Sequence, residues 1–440
     1  MAEVVPFKGV RYNPDLIQNM EDVVAPPYDV ISPDEQDGFH QRHPNNVIRL
    51  ILGKTLSDDG EKENVHVRAG RFFDKWREDK VLIQDDTPAI YLTTVTFIWE
   101  GERYTRSGII ACVRLEPFEK GVVLPHERTF SKVKSERLQL MKYCHANFSP
   151  IFSLYSDGDD DLARLNAFAA AQRPDVDLMD DKGHRHRLWP ITDKDLIALV
   201  SSYFRKQIIY IADGHHRYET ALNYLEWVKE NDPSYSADHP ANFIMMSLSS
   251  MEDPGMVVLP AHRLLKQVSE QELSRLIGND KECFDILPFD VEGELKGGLS
   301  EFNRALAANA HRKAIGFFSS AKSKLQVMVL KEGVMARLFE DKIAPALRDL
   351  DVTVLTQLIM MEMMGFDQAR LDDETKITYR TTASGAVDAV RAGEADLAFI
   401  LNPTRIEQVQ RVAENGLIMP RKSTYFYPKV VSGLMFNLLR

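Results

Sequence analysis

The residues best suited to chemistry lie in one short segment of the chain. It follows residues 208–212, a β-branched and aromatic run that predicts a strand. Apolar residues then recur at the spacing of one helical face, which predicts a helix that begins near Gly214. The strand end and the first helical turn therefore carry Asp213, Gly214, His215, His216 and Arg217.

Basic side chains are unexpected in a first helical turn. Free N–H groups and the positive end of the helix dipole favour acids there, and a cation costs ~0.3–1 kcal/mol. A phosphate reverses this sign, because backbone N–H groups, a glycine without Cβ and the side chains of His215, His216 and Arg217 would converge on it. The turn thus predicts an anion site, with Asp213 orienting a histidine or holding Mg²⁺. The alternative is a turn whose polar residues are merely solvated.

Five segments together resemble a known family. They are VAPPYDVIS at 24–32, LPHERT at 124–129, SPIF at 149–152, DGHHRY at 213–218 and MPRKSTYFYPK at 419–429. The set resembles the family called domain of unknown function 1015. More distantly, the DGHHR turn resembles the ParB/sulfiredoxin-like superfamily, in particular its free-serine kinase branch.

This resemblance implies a fold and an activity. The fold is α+β, with mixed sheets around a ParB/sulfiredoxin-like strand-turn-helix core and a C-terminal α/β part. The activity is that of a small-molecule phosphotransferase which binds ADP or ATP with Mg²⁺ and acts on an amino acid such as serine. In this reading the anion pocket also receives His126, Arg128, Lys422 and Ser423.

Phosphoryl transfer also requires a group that accepts the proton of the attacking hydroxyl. Asp29 is the candidate, because it lies between a rigid diproline and the Ser32–Glu35 capping box. Glu127 is the second candidate, and Asp213 completes the predicted catalytic carboxylates. We expect Arg217→Ala to weaken nucleotide binding without destabilising the free protein, because it removes a cation from a helix N-terminus.

Composition limits the classes of partner and compartment. The chain has 54 basic and 65 acidic residues, a formal charge of −11, which disfavours a nucleic-acid partner. Its three cysteines show no metal or redox spacing and suit a reducing cytosol. No uncharged apolar run approaches the ~18 residues of a membrane span. We therefore expect a cytoplasmic protein with a small-molecule substrate and no membrane partner, and the oligomeric state stays open.

The order of predicted elements suggests two domains. An N-terminal α+β domain at 1–265 carries the DGHHR turn, and a C-terminal α+β domain occupies 266–440. The apolar residues at 46–52 predict a strand after the first helix. A hairpin turning at 180–183 leads to His184 and His186, which face one way on a strand. Two histidines alone are not a metal site, and no carboxylate at a ligand spacing is evident, so the sequence predicts no metal there.

A second function belongs to a different class. The same turn suits a non-catalytic regulator that binds a nucleotide or metabolite. DNA-binding relatives in the ParB-like superfamily add a helix-turn-helix, and no basic recognition helix is evident here. Sulfiredoxin-type chemistry requires a cysteine in the turn, where this chain has His215.

Overall fold

The computed structural model describes residues 1–157, 162–290, 295–319 and 324–440. Its strands are β1 Val4–Val5, β2 Val10–Tyr12, β3 Leu82–Gln84, β4 Ile90–Trp99, β5 Glu102–Arg114, β6 Val123–Leu124, β7 Ala146–Asn147, β8 Ile151–Tyr155, β9 Val176–Met179, β10 Arg185–Ile191, β11 Ile209–Asp213, β12 Phe243–Ser250, β13 Val257–Leu259, β14 His262–Leu265, β15 Phe284–Asp290, β16 Ala314–Ser319, β17 Lys324–Leu330, β18 Ile377–Arg380, β19 Leu397–Leu401, β20 Tyr425–Tyr427 and β21 Asn437–Leu438.

The helices alternate with these strands. They are α1 Pro33–Arg42, α2 Ile48–Ile51, α3 Val65–Glu78, α4 Ser131–Cys144, α5 Ala163–Ala171, α6 Lys194–Phe204, α7 His215–Asn231, α8 Glu270–Cys283, α9 Leu295–Ala308, α10 Val334–Phe339, α11 Pro345–Arg348, α12 Asp351–Thr353, α13 Gln368–Asp372, α14 Ala383–Arg391 and α15 Ile406–Glu414. A π-helix, Val354–Met363, follows α12. The predicted α+β class is confirmed. Among the described helices, none is both long and apolar enough to cross a bilayer.

The chain divides into two compact units. Unit 1 comprises residues 1–257 and 428–440, and unit 2 comprises residues 258–427. The predicted boundary at 265 differs, because β14 is an inner strand of the unit 2 sheet, between β18 and β19. The last 13 residues, which we predicted to lie in the C-terminal domain, return to unit 1.

The main sheet of unit 1 is mixed. Over the described residues, nine strands form it, with β1 paired to β5 beside the order β6-β11-β8-β12-β5-β4-β10-β9. Strand β11 runs parallel to β6, and β12 runs parallel to β8, whereas the remaining pairs are antiparallel. Strands β4 and β5 form a hairpin that turns at Gly101, whose φ is 86°.

Helix α7 covers one face of this sheet with the predicted apolar stripe. Tyr218, Ala221 and Leu225 are buried in one cluster with Ile209 and Ile211 of β11. Burial of large apolar side chains at ~1.5–3 kcal/mol each fixes the helix against the strand that precedes it. The N-terminus of α7 is therefore held at the end of β11.

The strand predicted at 46–52 is wrong, because these residues form α2. Asn46 is fully buried and its Oδ1 accepts a 2.9 Å hydrogen bond from the N–H of Ile48, which satisfies one donor of a helix start. Ile48, Leu50 and Ile51 are buried in one cluster with α3 residues. A short and mostly apolar run fits a buried helix as well as a buried strand, so periodicity did not separate the two.

Unit 2 is built on a second sheet. Within the described part of unit 2, six strands form it in the order β15-β17-β16-β19-β14-β18, and the neighbouring pairs are antiparallel. Since β18 and β19 both run antiparallel to β14, they are parallel to each other, and α14 makes the predicted crossover between them.

Candidate functional site

The DGHHR turn joins β11 to α7 through two local irregularities. Ile211 pairs with Ser153 and Asp213 with Phe152, so Ala212 is an extra residue that forms a bulge. A bulge bends the strand and redirects the side chain that follows it. Gly214 then has φ 103°, and a Cβ there would lie 2.8 Å from Nε of Arg217. Glycine is thus needed both for the backbone conformation and for the close approach of Arg217.

Asp213 is the centre of a buried charge cluster. Its Oδ2 accepts a 2.5 Å hydrogen bond from Nη2 of Arg217, and its Oδ1 accepts one from Nζ of Lys429. Arg217 also donates through Nη1 to the carbonyl of Pro150. The three charged side chains are only 12–14% exposed. We refer to Asp213, Arg217 and Lys429 as the Asp213 cluster.

The Asp213 cluster carries one net positive charge. Burial raises the pKa of Asp213, but the charges of Lys429 and Arg217 outweigh it and leave that pKa well below its ordinary value. Asp213 is therefore ionised at neutral pH and accepts hydrogen bonds from both cations. Among the described residues no side chain caps the N-terminus of α7, where Gly214 is the N-cap. A positive cluster at an uncapped helix start is a setting for an anion.

The two histidines of the turn hold the preceding loop. Nε2 of His215 accepts a 3.1 Å hydrogen bond from the N–H of His126, and Nε2 of His216 accepts one of 3.0 Å from the N–H of Phe130. A nitrogen that accepts carries no hydrogen, so the proton of each neutral ring is on Nδ1. Burial holds the pKa of His215 well below its usual range, and the ring is neutral. The two rings thus use Nε2 to anchor loop 126–130, whereas we predicted that both would converge on phosphate.

Three of the predicted site residues lie on loop 126–130, and they differ in how deeply they are buried. His126 is fully buried, and burial lowers its pKa to about 4, so it is a neutral packing residue with its ring centroid 4.7 Å from that of His215. The predicted contact of His126 with phosphate stays a prediction. Oε2 of Glu127 lies 4.0 Å from Nδ1 of His215. Arg128 is exposed.

Tyr28 and Asp29 lie close to the Asp213 cluster. The guanidinium of Arg137 stacks over the Tyr28 ring at 3.8 Å. Burial raises the pKa of Tyr28, and the charges of Arg137, Asp29, Arg217 and Asp213 act on it as well, which places the ring within the electrostatic reach of the cluster. Asp29 itself is exposed and makes no hydrogen bond or ion pair to the described residues.

A cavity of about 60 Å³ adjoins this group. Tyr28, Arg137, Arg217 and Thr220 line it together with apolar side chains of α4 and β7. Thr220 is fully buried, and its hydroxyl has no hydrogen-bond partner among the described residues. Nε of Arg137 likewise has none within the described part of the chain. Buried polar groups are normally satisfied, so these two donors suit a ligand or water.

Lys422 and Ser423 belong to unit 2. Lys422 is exposed with φ 53°, and the buried Ser423 donates its hydroxyl hydrogen to the carbonyl of Pro420 over 2.5 Å. Their predicted part in the anion pocket stays a prediction. The same sequence motif ends at Lys429, which we did not select and which bonds Asp213. Lys429 could have been found from the sequence, because it lies in a segment that resembles the family. Nothing in the sequence marked Arg137 or Thr220 as site residues beyond their positions on helices.

A comparison with family models decides the relationship. Residues 4–353 match the family described as Protein of unknown function (DUF1015). The chain belongs to this family. No curated protein matches the chain.

Several solved structures resemble the fold at low sequence identity. A mutant free serine kinase in complex with AMP is 14% identical, with 69% of this chain and 84% of that chain covered and a TM-score of 0.35. A conserved hypothetical protein from Pyrococcus furiosus is 14% identical, covering 70% and 89%, with a TM-score of 0.33. SbnI from Staphylococcus aureus is 9% identical, covering 73% and 85%, with a TM-score of 0.33. The bound AMP is a feature of the kinase structure and is not thereby assigned to this chain.

Proposed function

We propose that unit 1 binds the phosphates of a nucleotide, ADP or ATP, at the start of α7 and transfers a phosphoryl group to a small hydroxylated acceptor such as serine. The observation that carries this proposal is the Asp213 cluster, in which two cations share one carboxylate at an uncapped helix N-terminus. A nucleotide polyphosphate is an anion that suits two cations next to the free N–H groups of a helix start.

The residues at the start of α7 and those around it have different roles in phosphate binding. Arg217 and Lys429 face the phosphate charge, and Gly214 lets an oxygen approach the backbone N–H groups of α7. Asp213 keeps both cations in place before the ligand arrives, so they are not reorganised on binding. His215 and His216 act as positioning residues, since they fix loop 126–130 beside the turn.

The cavity beside Arg217 is our candidate for the acceptor. Arg137 supplies a cation for a carboxylate, and Thr220 supplies a hydroxyl group. Its volume of about 60 Å³ suits a side chain or head group of amino-acid size. Asp29, next to the cavity-lining Tyr28, accepts the proton of the attacking hydroxyl, with Glu127 as the second candidate.

Mg²⁺ in this proposal arrives with the nucleotide. Both oxygens of Asp213 already accept hydrogen bonds from cations, which makes this carboxylate a poor ligand for a further cation. When bound between phosphate oxygens, Mg²⁺ would neutralise charge that develops during transfer.

The proposal is tested first by binding. We expect ADP or ATP to raise the melting temperature of the full chain, since a hundredfold excess over Kd adds ~2.7 kcal/mol. Lys429→Met should weaken nucleotide binding at least tenfold. Lys422→Met is the matched change seven residues earlier in the same motif, and it tests whether the unit 2 lysine also contributes to nucleotide binding. A melt unmoved by ADP, ATP, CTP and pyrophosphate, with and without Mg²⁺, would refute nucleotide binding.

Turnover is tested separately. We would incubate the protein with nucleotide, Mg²⁺ and a panel of amino acids and follow phosphorus NMR for a new phosphoester signal. Asp29→Asn should lower the rate by ~10²–10⁴-fold with little change in nucleotide affinity. Equal loss of rate and affinity would make Asp29 a structural residue.

One observation favours the alternative of a non-catalytic nucleotide-binding regulator. Asp213, the carboxylate nearest the expected phosphates, is engaged by two cations and does not act as a base. Nucleotide binding that survives in the absence of any phosphoester product would support the regulator. Product formation would exclude it.

A further inference from the structure

Three side chains converge at the β9–β10 hairpin of unit 1, away from the residues assigned above. Oδ2 of Asp180 lies 2.9 Å from Nδ1 of His184 and 3.1 Å from Nε2 of His186. One ligand atom from each residue lies within 4.8 Å of the other two. The spacing of the two histidines did not point to a carboxylate partner, because Asp180 comes from the turn itself.

The hairpin backbone orients this carboxylate. Oδ1 of Asp180 accepts 2.9 Å hydrogen bonds from the N–H groups of Lys182 and His184, which leaves Oδ2 directed at the imidazoles. Gly183, with φ 76°, closes the turn. A carboxylate held through one oxygen by backbone donors has its other oxygen fixed in space, as ligands of bound metals do.

The histidines are presented by strand geometry and are buried. His184 immediately precedes β10 and His186 lies within it, and the two residues are two positions apart. His184 is 4% and His186 5% exposed. Two buried imidazoles beside one ionised carboxylate form a small, desolvated set of N and O donors, the kind that zinc prefers.

The distances fit a tetrahedral ion. Zinc bonds to N and O of ~2.0–2.2 Å imply ligand atoms ~3.3–3.6 Å apart at tetrahedral angles. The observed separations of 2.9 and 3.1 Å need widening by only a few tenths of an ångström. A water molecule would complete the tetrahedral coordination as the fourth ligand.

We propose that Asp180, His184 and His186 bind one divalent zinc-type metal ion that holds the β9–β10 hairpin in place. This inference does not depend on the proposed function, because the three ligands are distinct from the nucleotide and acceptor residues. Its chemistry is structural: three protein ligands and one water join the turn to the strand next to β4.

The test uses the full-length protein, stripped with a chelator and then exchanged into metal-free buffer. We expect one equivalent of Zn²⁺ to bind by isothermal titration and to raise the melting temperature. Co²⁺ should give the intense visible bands of a tetrahedral site, a readout that needs no variant. A stripped wild-type protein that binds neither ion stoichiometrically, or gives only the weak bands of hexaaqua Co²⁺, overturns the proposal.

Variants locate the site. His186→Gln and Asp180→Asn should abolish the Co²⁺ bands and the stoichiometric binding. The matched control is His239→Gln, because His239 is also a buried histidine of unit 1 that faces an aspartate, with Nε2 3.4 Å from Oδ2 of Asp232. Among the described residues, no third metal-ligating group joins this pair. Bands retained in His186→Gln and Asp180→Asn, or lost in His239→Gln, would place the ion elsewhere and overturn the assignment.

Discussion

At the scale of single residues, the histidines of the turn make contacts that the sequence did not predict. Both rings accept hydrogen bonds from the backbone of loop 126–130. A histidine in a first helical turn suggests a ligand contact, yet His215 accepts a backbone hydrogen bond and is 3% exposed. Its neighbour His126 is fully buried. Both are neutral in the folded state, because burial disfavours the imidazolium. They contribute to stability rather than to phosphate charge.

The first prediction concerns pH. In the unfolded chain a histidine gains its proton near pH 6.5, whereas His126 in the folded state does so near pH 4. The unfolded state therefore binds more protons between these values, and the free energy of unfolding falls as the pH drops from about 6.5 towards 4. We expect a loss of ~1 kcal/mol for each such histidine at pH 5.5, measured by urea denaturation.

A matched variant assigns that loss. His126→Gln removes one of the two groups, so the difference in unfolding free energy between pH 7 and pH 5.5 should shrink. A pH dependence identical to that of the wild-type protein would show that His126 titrates normally in the folded state.

The second prediction reverses the expectation from sequence for Arg217. Its guanidinium bonds Asp213 and the carbonyl of Pro150 and is 14% exposed. Arg217→Ala should therefore destabilise the free protein, by ~1–3 kcal/mol, because a buried carboxylate loses one of its two partners. Arg128→Ala is the control: Arg128 is exposed on the adjacent loop, and its removal should stay within ~0.5 kcal/mol. Denaturant melts of the two variants compare them, and equal stabilities would contradict the buried pair.

At the scale of elements, the bulge in β11 and the left-handed Gly214 together define how α7 starts. The bulge redirects Asp213, and the glycine lets Arg217 fold back over the turn. The bulge depends on the pairing of β11 with β8, whereas the conformation of Gly214 is local. The strand end and the helix start thus act as one unit.

The third prediction separates backbone strain from side-chain contact. Gly214 and Gly101 have φ of 103° and 86°, but only at Gly214 would a Cβ meet other atoms, namely the Arg217 guanidinium. Gly101→Ala should show the cost of φ alone, ~1–2 kcal/mol. Gly214→Ala should cost more and should also weaken nucleotide binding, because Arg217 is displaced. Equal losses of stability with unchanged binding would show that Arg217 moves aside freely.

At the scale of the whole molecule, the chain leaves unit 1 after residue 257 and comes back at residue 428. The returning segment brings Lys429 to Asp213 and buries Phe436 completely. The Phe436 ring packs against Phe148 and Tyr12, with centroids 5.7 and 5.9 Å apart. The core of unit 1 and its candidate site both depend on residues from the end of the chain.

The fourth prediction follows from this return. Phe436→Ala should destabilise unit 1 by ~3–5 kcal/mol, the cost of emptying a buried phenylalanine site. Hydrogen exchange followed by mass spectrometry should show the loss of protection in peptides from 1–257. Phe302→Ala, an equally buried change in unit 2, should act on peptides from 258–427 instead. Loss confined to the same peptides in both variants would contradict two separate cores.

The sequence by itself determined what depends on near neighbours along the chain. The Ser32–Glu35 capping box, the turn at 180–183 and the strand-turn-helix around Gly214 all appear as predicted. Each is governed by spacing, glycine conformation or a local hydrogen bond. Shared motifs were sufficient for the family.

Tertiary structure decided which side chains meet. Lys429 reaches Asp213 across 216 positions, and this contact, rather than composition, gives the site its charge. Burial turned His126 and His215 from expected ligand contacts into neutral anchors, and packing made a helix of residues 48–51. The spacing of residues along the chain does not show which distant segments come into contact or which side chains become buried. Those depend on long-range packing, whose free energy is shared among distant residues.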